Sequence, residues 1–228
     1  MRVILFDIDG TLIRTGGAGK AAMEGALLAA FGVPGIRNTV SYSGRTDWAI
    51  GRDLLAAHGV DPTEANRRLL QEAYLARLPA ALDTHGGVVC PGVGELLAAL
   101  GTRPDTVVGL LTGNVRAGAR VKLGHFGLWD RFACGGFGDD LFDRDDVARA
   151  ALADARAHAG ESLDPADVWV IGDTPLDVQC ARAIGAKAVV VATGWHTADE
   201  LAACDPDHFF TDLSDHVGVL AVWAPPAP

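Results

Sequence analysis

The feature that most constrains this chain is an alternation. Short β-branched apolar runs occur at 2–7 (RVILFD), 105–112 (DTVVGLLT), 166–173 (ADVWVIGD) and 186–193 (AKAVVVAT), with weaker ones at 130–136 (DRFACGG) and 207–212 (DHFFTD). Between them lie longer Ala- and Leu-rich stretches with helical spacing, such as DDVARAALADARAHAG. Strands that are apolar along their whole length are buried on both faces, which in alternation with helices indicates a parallel sheet between helical layers. Right-handed crossovers then give a doubly wound α/β fold.

One region breaks the alternation. From about Arg14 to Val89 there is almost no strand signal, only the helical patterns GKAAMEGALLAAFG, TDWAIGRDLLAAHG and DPTEANRRLLQEAYLARLPAAL. The last is expected to open with Asp61 as N-cap and Pro62 at the first helical position. Three helices are far too much for a connection, so the expectation is a helical cap domain at 14–89 inserted into an α/β core at 1–13 and 90–228. The terminal WAPPAP is expected to fray.

Charge and composition exclude several classes. The net charge of -10 argues against nucleic acid and anionic membrane surfaces as partners, since both need basic surface. The seven histidines form no ligand-spaced cluster. The cysteines, Cys90, Cys134, Cys180 and Cys204, are widely spaced and read as free thiols in a reducing compartment. The strand signal begins at residue 2, leaving no room for a signal peptide, and no apolar run reaches the roughly 20 residues of a membrane span. A cytoplasmic protein is expected.

In open α/β sheets ligands bind beyond the carboxyl ends of the strands. Here the first strand ends in Asp7 and Asp9, the second in Thr112, Gly113 and Asn114, and the fourth in GDTPLD with Asp173 and Asp177. Singly, each carboxylate reads as a turn residue, a helix cap or a solvated first-turn residue. Together they bring like charges to one edge, which raises their pKa values or requires a cation. Oxygen ligands without histidine or cysteine suit a hard ion, Mg²⁺ above all.

The segments DIDGTL, LLTGN and IGDTPLD resemble, in order and in strand-end placement, the first, second and fourth motifs of the haloacid dehalogenase (HAD) superfamily, and the helical insert resembles its cap. The resemblance spans nearly the whole chain. It implies that Asp7 is a nucleophile forming an aspartyl-phosphate and that Asp9 is the general acid/base. It further implies Mg²⁺ held by Asp7, the main-chain carbonyl of Asp9, and Asp173, with Asp177 beside the ion. Thr112 and the amides of Gly113 and Asn114 would grip the phosphoryl oxygens.

The third motif departs from the pattern. Where many members carry a lysine, this chain has Arg144 in LFDRDDVARAAL. Lys122 in RVKL is the other candidate cation, placed about 12 Å up its helix from the site and so expected on a solvated face. Asp139 and Asp140 in GGFGDD fit turn residues better than a metal-side loop. Arg45 in SGRTD is a candidate contact for a distal anionic group of the substrate, and Trp48 and Trp195 fit core or rim packing.

LLTGN together with the helical cap looks most like phosphoglycolate-phosphatase-type members. The resemblance thus implies a Mg²⁺-dependent phosphatase for a small phosphate monoester, as a monomer or homodimer. A sugar-phosphate mutase and a catalytically silent phosphate-binding regulator remain as alternatives.

Overall fold

The computed structural model describes residues 1–223. The chain enters with β1 (Arg2–Phe6) and a two-residue strand β2 (Ile13–Arg14), then runs through α1 (Ala18–Phe31), α2 (Asp47–Ala57) and α3 (Glu64–His85) to β3 (Val88–Val89). There follow α4 (Val93–Leu100), β4 (Thr106–Leu111), α5 (Arg116–His125), β5 (Cys134–Gly136), α6 (Arg144–Ala159) and β6 (Val168–Gly172). The last elements are α7 (Pro175–Ala183), β7 (Lys187–Val191), α8 (Ala198–Ala202), β8 (His208–Phe210) and α9 (His216–Ala221).

All six expected strands form, in one parallel sheet of order β5-β4-β1-β6-β7-β8. Successive strand residues point to opposite faces, and each face has its own core. Ile4, Phe6, Leu110, Trp169 and Ile171 pack with α4, α5 and α9. Val3, Leu5, Leu111, Val168 and Val170 pack with α6 and α7 on the other side. The register sets the functional edge. Phe6 is level with Leu110 of β4 and Ile171 of β6, so the residues that follow these three adjacent strands emerge together.

Helices α1, α2 and α3 share a third core around Leu27, Leu54, Leu70, Tyr74 and Leu78. Val115 and the partly buried Val121, from the α5 segment, also belong to it, so the layer is keyed into the sheet-bearing part through that helix. Two details differ from the sequence expectation. The N-cap of α3 is Thr63, whose hydroxyl accepts the Asn66 N–H at 3.2 Å, whereas Asp61 contributes only its carbonyl, to the Asn66 side chain. The segment 14–89 also begins and ends in strand: Ile13 and Arg14 pair antiparallel with Val89 and Val88, which sets the two ends of the helical excursion side by side.

The WAPPAP tail is not free along its whole length. Trp223 is 2 % exposed and meets Trp169 edge-on at 6.3 Å, while residues 224–228 lie outside the described residues. Removing so large a buried side chain typically costs about 3–5 kcal/mol. Trp223→Ala is therefore expected to lower the urea midpoint of unfolding by that equivalent, and a midpoint within experimental error of the parent's would show the terminus to be dispensable.

Candidate active site

Asp7 follows β1 directly, its N–H bonded to the Ile171 carbonyl of β6 at 2.9 Å. The chain then turns at Gly10, where φ is +93° and a Cβ would sit 2.4 Å from Oδ2 of Asp173. Only glycine can make that turn so close to a carboxylate. Thr11 donates to Oδ1 of Asp173 at 3.0 Å, and Thr193 donates to the Gly10 carbonyl from the loop after β7. Oxygens of Asp7, Asp173 and Asp177, all buried, lie within 4.8 Å of one another.

So many buried carboxylates raise each other's affinity for protons. Asp7 and Asp173 are both pushed well above the ordinary carboxylate range, first by burial and then by their acidic neighbours. An all-oxygen donor set carrying excess negative charge fits a hard divalent cation. Asp7, Asp173 and the carbonyl of Asp9 are the groups that would hold it. Asp177 has both oxygens engaged: Oδ1 accepts from Arg144 at 2.5 Å, and Oδ2 accepts from the Thr174 amide and hydroxyl at 3.0 and 2.8 Å, capping α7. It thus holds Arg144 while standing in the acidic cluster with Asp7 and Asp173.

Arg144 is buried at the start of α6, with one guanidinium nitrogen on Asp177 and the other 3.5 Å from Oδ1 of Asp7. It thus stands against Asp7 as a third-motif cation would. Lys122 contradicts the solvated-face expectation. It is 4 % exposed, and Nζ lies 2.6 Å from both Asp9 Oδ2 and Asn114 Oδ1. The estimate along the helix axis overlooked two things. Lys122 is only the seventh residue of α5, and a helical side chain leans back toward the N-terminus. Burial pulls its pKa down, but the Asp9 and Asp47 carboxylates outweigh this and raise it.

The loop after β4 brings Thr112, Gly113 and Asn114 to the same place. The Thr112 hydroxyl accepts from the Asn114 amide at 3.3 Å and from its side chain at 2.9 Å. Two amides at the start of α5 are already taken, Val115 N by Asp47 Oδ2 at 2.9 Å and Arg116 N by Asp139 Oδ2 at 2.7 Å. Among the described residues the Gly113 N–H has no such partner, which leaves it and the Thr112 hydroxyl as donors for an anion. Asp139 is a capping turn residue, and Asp140 forms an exposed pair with Arg68.

Above the acidic cluster lies a cavity of about 900 Å³ between sheet edge and helical layer, with Arg45, Tyr42, Met23 and Trp195 in its wall. Arg45 is fixed by Asp53 at 2.6 Å and by the Ser41 carbonyl at 3.0 Å. Trp195 is 91 % exposed at the rim, whereas Trp48 is core. Asp47 is a residue of the cavity wall that sequence reasoning missed. Its position at the first turn of α2 was visible in SGRTD, but its reach to α5 is a tertiary fact. Its N–H also binds the Gly113 carbonyl at 2.8 Å, and burial pushes its carboxyl up to about 6.

Residues 4–182 match the family model described as haloacid dehalogenase-like hydrolase. A phosphoglycolate phosphatase of Synechococcus elongatus is 31% identical over 217 residues, 94% of this chain and 95% of its own. The probable phosphatase IndB of Dickeya dadantii is 31% identical over 228 residues, 95% of this chain and 92% of its own. Among solved structures, CbbY from Rhodobacter sphaeroides in complex with phosphate matches with a TM-score of 0.74 at 19% identity, covering 94% of this chain and 96% of that one. At that identity the likeness is one of fold.

The raised carboxyls set a pH dependence. Burial and the acidic neighbours favour the protonated forms of Asp7 and Asp173 in the folded chain over the unfolded one, so this contribution to stability is present at acid pH and is lost as pH rises above the usual carboxylate range. A divalent cation replaces those protons. With chelator present, the melting temperature is expected to fall between about pH 5 and about pH 8, and excess Mg²⁺ to raise it more at the upper pH than at the lower. A Mg²⁺ shift independent of pH would show that the ion does not bind at these carboxylates.

Proposed function

The chain belongs to the haloacid dehalogenase-like hydrolases, and on that premise we propose that it is a Mg²⁺-dependent phosphatase that cleaves a small phosphate monoester through an aspartyl-phosphate at Asp7. The coarser reading, a phosphoric monoester hydrolase, follows from its full-length likeness to phosphatases. The observation that supports the finer reading is the meeting of Asp7 and Asp173 within one cluster, with Arg144 against Asp7.

Asp7 attacks phosphorus, the ester P–O bond breaks, and the departing oxygen takes a proton from Asp9. Asp9 then draws a proton from water, which attacks the acyl phosphate and frees inorganic phosphate and the Asp7 carboxylate. Thr112 and the Gly113 amide hold the phosphoryl oxygens, and Arg144 draws the phosphoryl group and Asp7 together. Asp7, Asp173 and the Asp9 carbonyl would hold Mg²⁺, which would offset the repulsion between the two anions.

The segment 14–89 acts as a cap that walls the leaving-group side, with Arg45 facing it. Phosphoglycolate, on which several named relatives act, is the first substrate to test, and the setting is the cytoplasm. The silent regulator is less well supported, since Asp9, Thr112 and Asp173 are all in place beside the cavity; a mutase would use the same aspartate pair and differ in how the cap excludes water.

Phosphate release from p-nitrophenyl phosphate and from phosphoglycolate is expected to require Mg²⁺. Asp7→Asn is expected to lower kcat by about 10³ or more with the melting curve retained. Parent-like turnover in that variant would rule out the covalent route, and no turnover of any phosphate ester by the parent would favour the silent regulator.

A further inference from the structure

The cation found on Asp9 is unaccounted for by the reaction just described. Asp9 sits beyond the strand end on the Gly10 turn, with its side chain 40% exposed to the cavity. Little in its own segment fixes that carboxylate, yet a general acid must present one oxygen to the leaving group within hydrogen-bond reach. Oδ2 receives two donors, Lys122 Nζ at 2.6 Å and Asn114 Nδ2 at 2.8 Å. Among the described residues no hydrogen bond occupies Oδ1.

Lys122 is in turn held from several sides. Asn114 Oδ1 accepts from it at 2.6 Å, and the partly buried Asp47 carboxylate of α2 adds its charge. Gly19 of α1 closes over the ammonium, and a Cβ there would come within 3.3 Å of Nζ. An ammonium whose acceptors are all protein oxygens is poorly placed to grip a phosphoryl group, and Arg144 and the Gly113 amide already stand there. Its position suits a different task.

We propose that Lys122 is a positioning residue for proton transfer: with Asn114 it pins Oδ2 of Asp9, so that Oδ1 faces the leaving-group oxygen. The assignment rests on the phosphatase reading above.

Leaving-group dependence separates this role from substrate binding and from mere folding. p-Nitrophenolate departs without a proton, whereas an alkoxide needs one. kcat/KM reports the steps up to alcohol release, so it isolates the acid role of Asp9. The probes are p-nitrophenyl phosphate and the fastest-turned-over alkyl ester from phosphoglycolate, glycerol phosphates and hexose phosphates.

For Lys122→Met, kcat/KM on the alkyl ester is expected to fall by about 10², and by at least about tenfold less on p-nitrophenyl phosphate. Lys122→Arg is expected to recover part of the difference. Asp9→Asn is expected to show the same asymmetry, and the double variant Lys122→Met/Asp9→Asn to be no worse than Asp9→Asn alone. If Lys122→Met does not fold, Lys122→Gln, which retains a donor, carries the same comparison.

Equal losses on both ester types, or additive losses in the double variant, would overturn the assignment while leaving the phosphatase reading intact. A parent enzyme active on p-nitrophenyl phosphate but on no alkyl ester would likewise overturn it. A parent inactive on every ester would remove both.

Discussion

The structure is organised around a charge problem. Three adjacent parallel strands, β4, β1 and β6, end level with one another, and two of them deliver buried aspartates to the same few ångströms. Such a concentration of negative charge is unfavourable without cations. The chain supplies one itself in Arg144, shared between Asp7 and Asp177, and leaves the Asp7–Asp173 side suited to a divalent ion. The glycine turn at residue 10, the Thr11 and Thr193 hydroxyls and the α7 capping box all serve to hold those carboxylates where repulsion would separate them.

A second charged group lies a short distance away. Lys122, Asp9, Asn114 and Asp47 join α5, the strand-end loop and α2 in one hydrogen-bonded and ion-paired set. On the proposed reading the two sets divide the chemistry between them, the first taking the phosphoryl group and the second facing the departing alcohol. Neither could be assembled from one element, which is why the aspartates, Thr112 and the two cations come from five separate stretches of chain.

Much of this was legible in the sequence because buried parallel strands are apolar throughout and the polar residues that interrupt them stand out. Asp7, Thr112 and Asp173 could therefore be assigned to one edge before any contact was known. What was not legible depended on side-chain direction and on pairing. Lys122 was placed by counting rise along the helix, whereas a lysine that leans back over its own first turns reaches the site. Asp177 stands in the acidic cluster as expected, but that it also caps α7 through Thr174 and pairs with Arg144 rests on tertiary contacts. Two-residue strands such as β2 and β3 carry no periodicity at all, and the choice of Thr63 over Asp61 at the start of α3 turned on local backbone geometry. The apolar value of Trp223 was hidden by the alanines and prolines after it.

The antiparallel contact of Ile13–Arg14 with Val88–Val89 has a bearing beyond its size. Because the chain departs and returns at one point, the entropy of closing a long excursion is settled there, and it grows only slowly with length. The sheet is indifferent to how much polypeptide lies between the two crossings. Lengthening, shortening or resculpting the parts of the excursion remote from Gly19 and Asp47 thus leaves the strand ends that carry Asp7 and Asp173 where they are, which gives a lineage a way to change diet without relearning its chemistry.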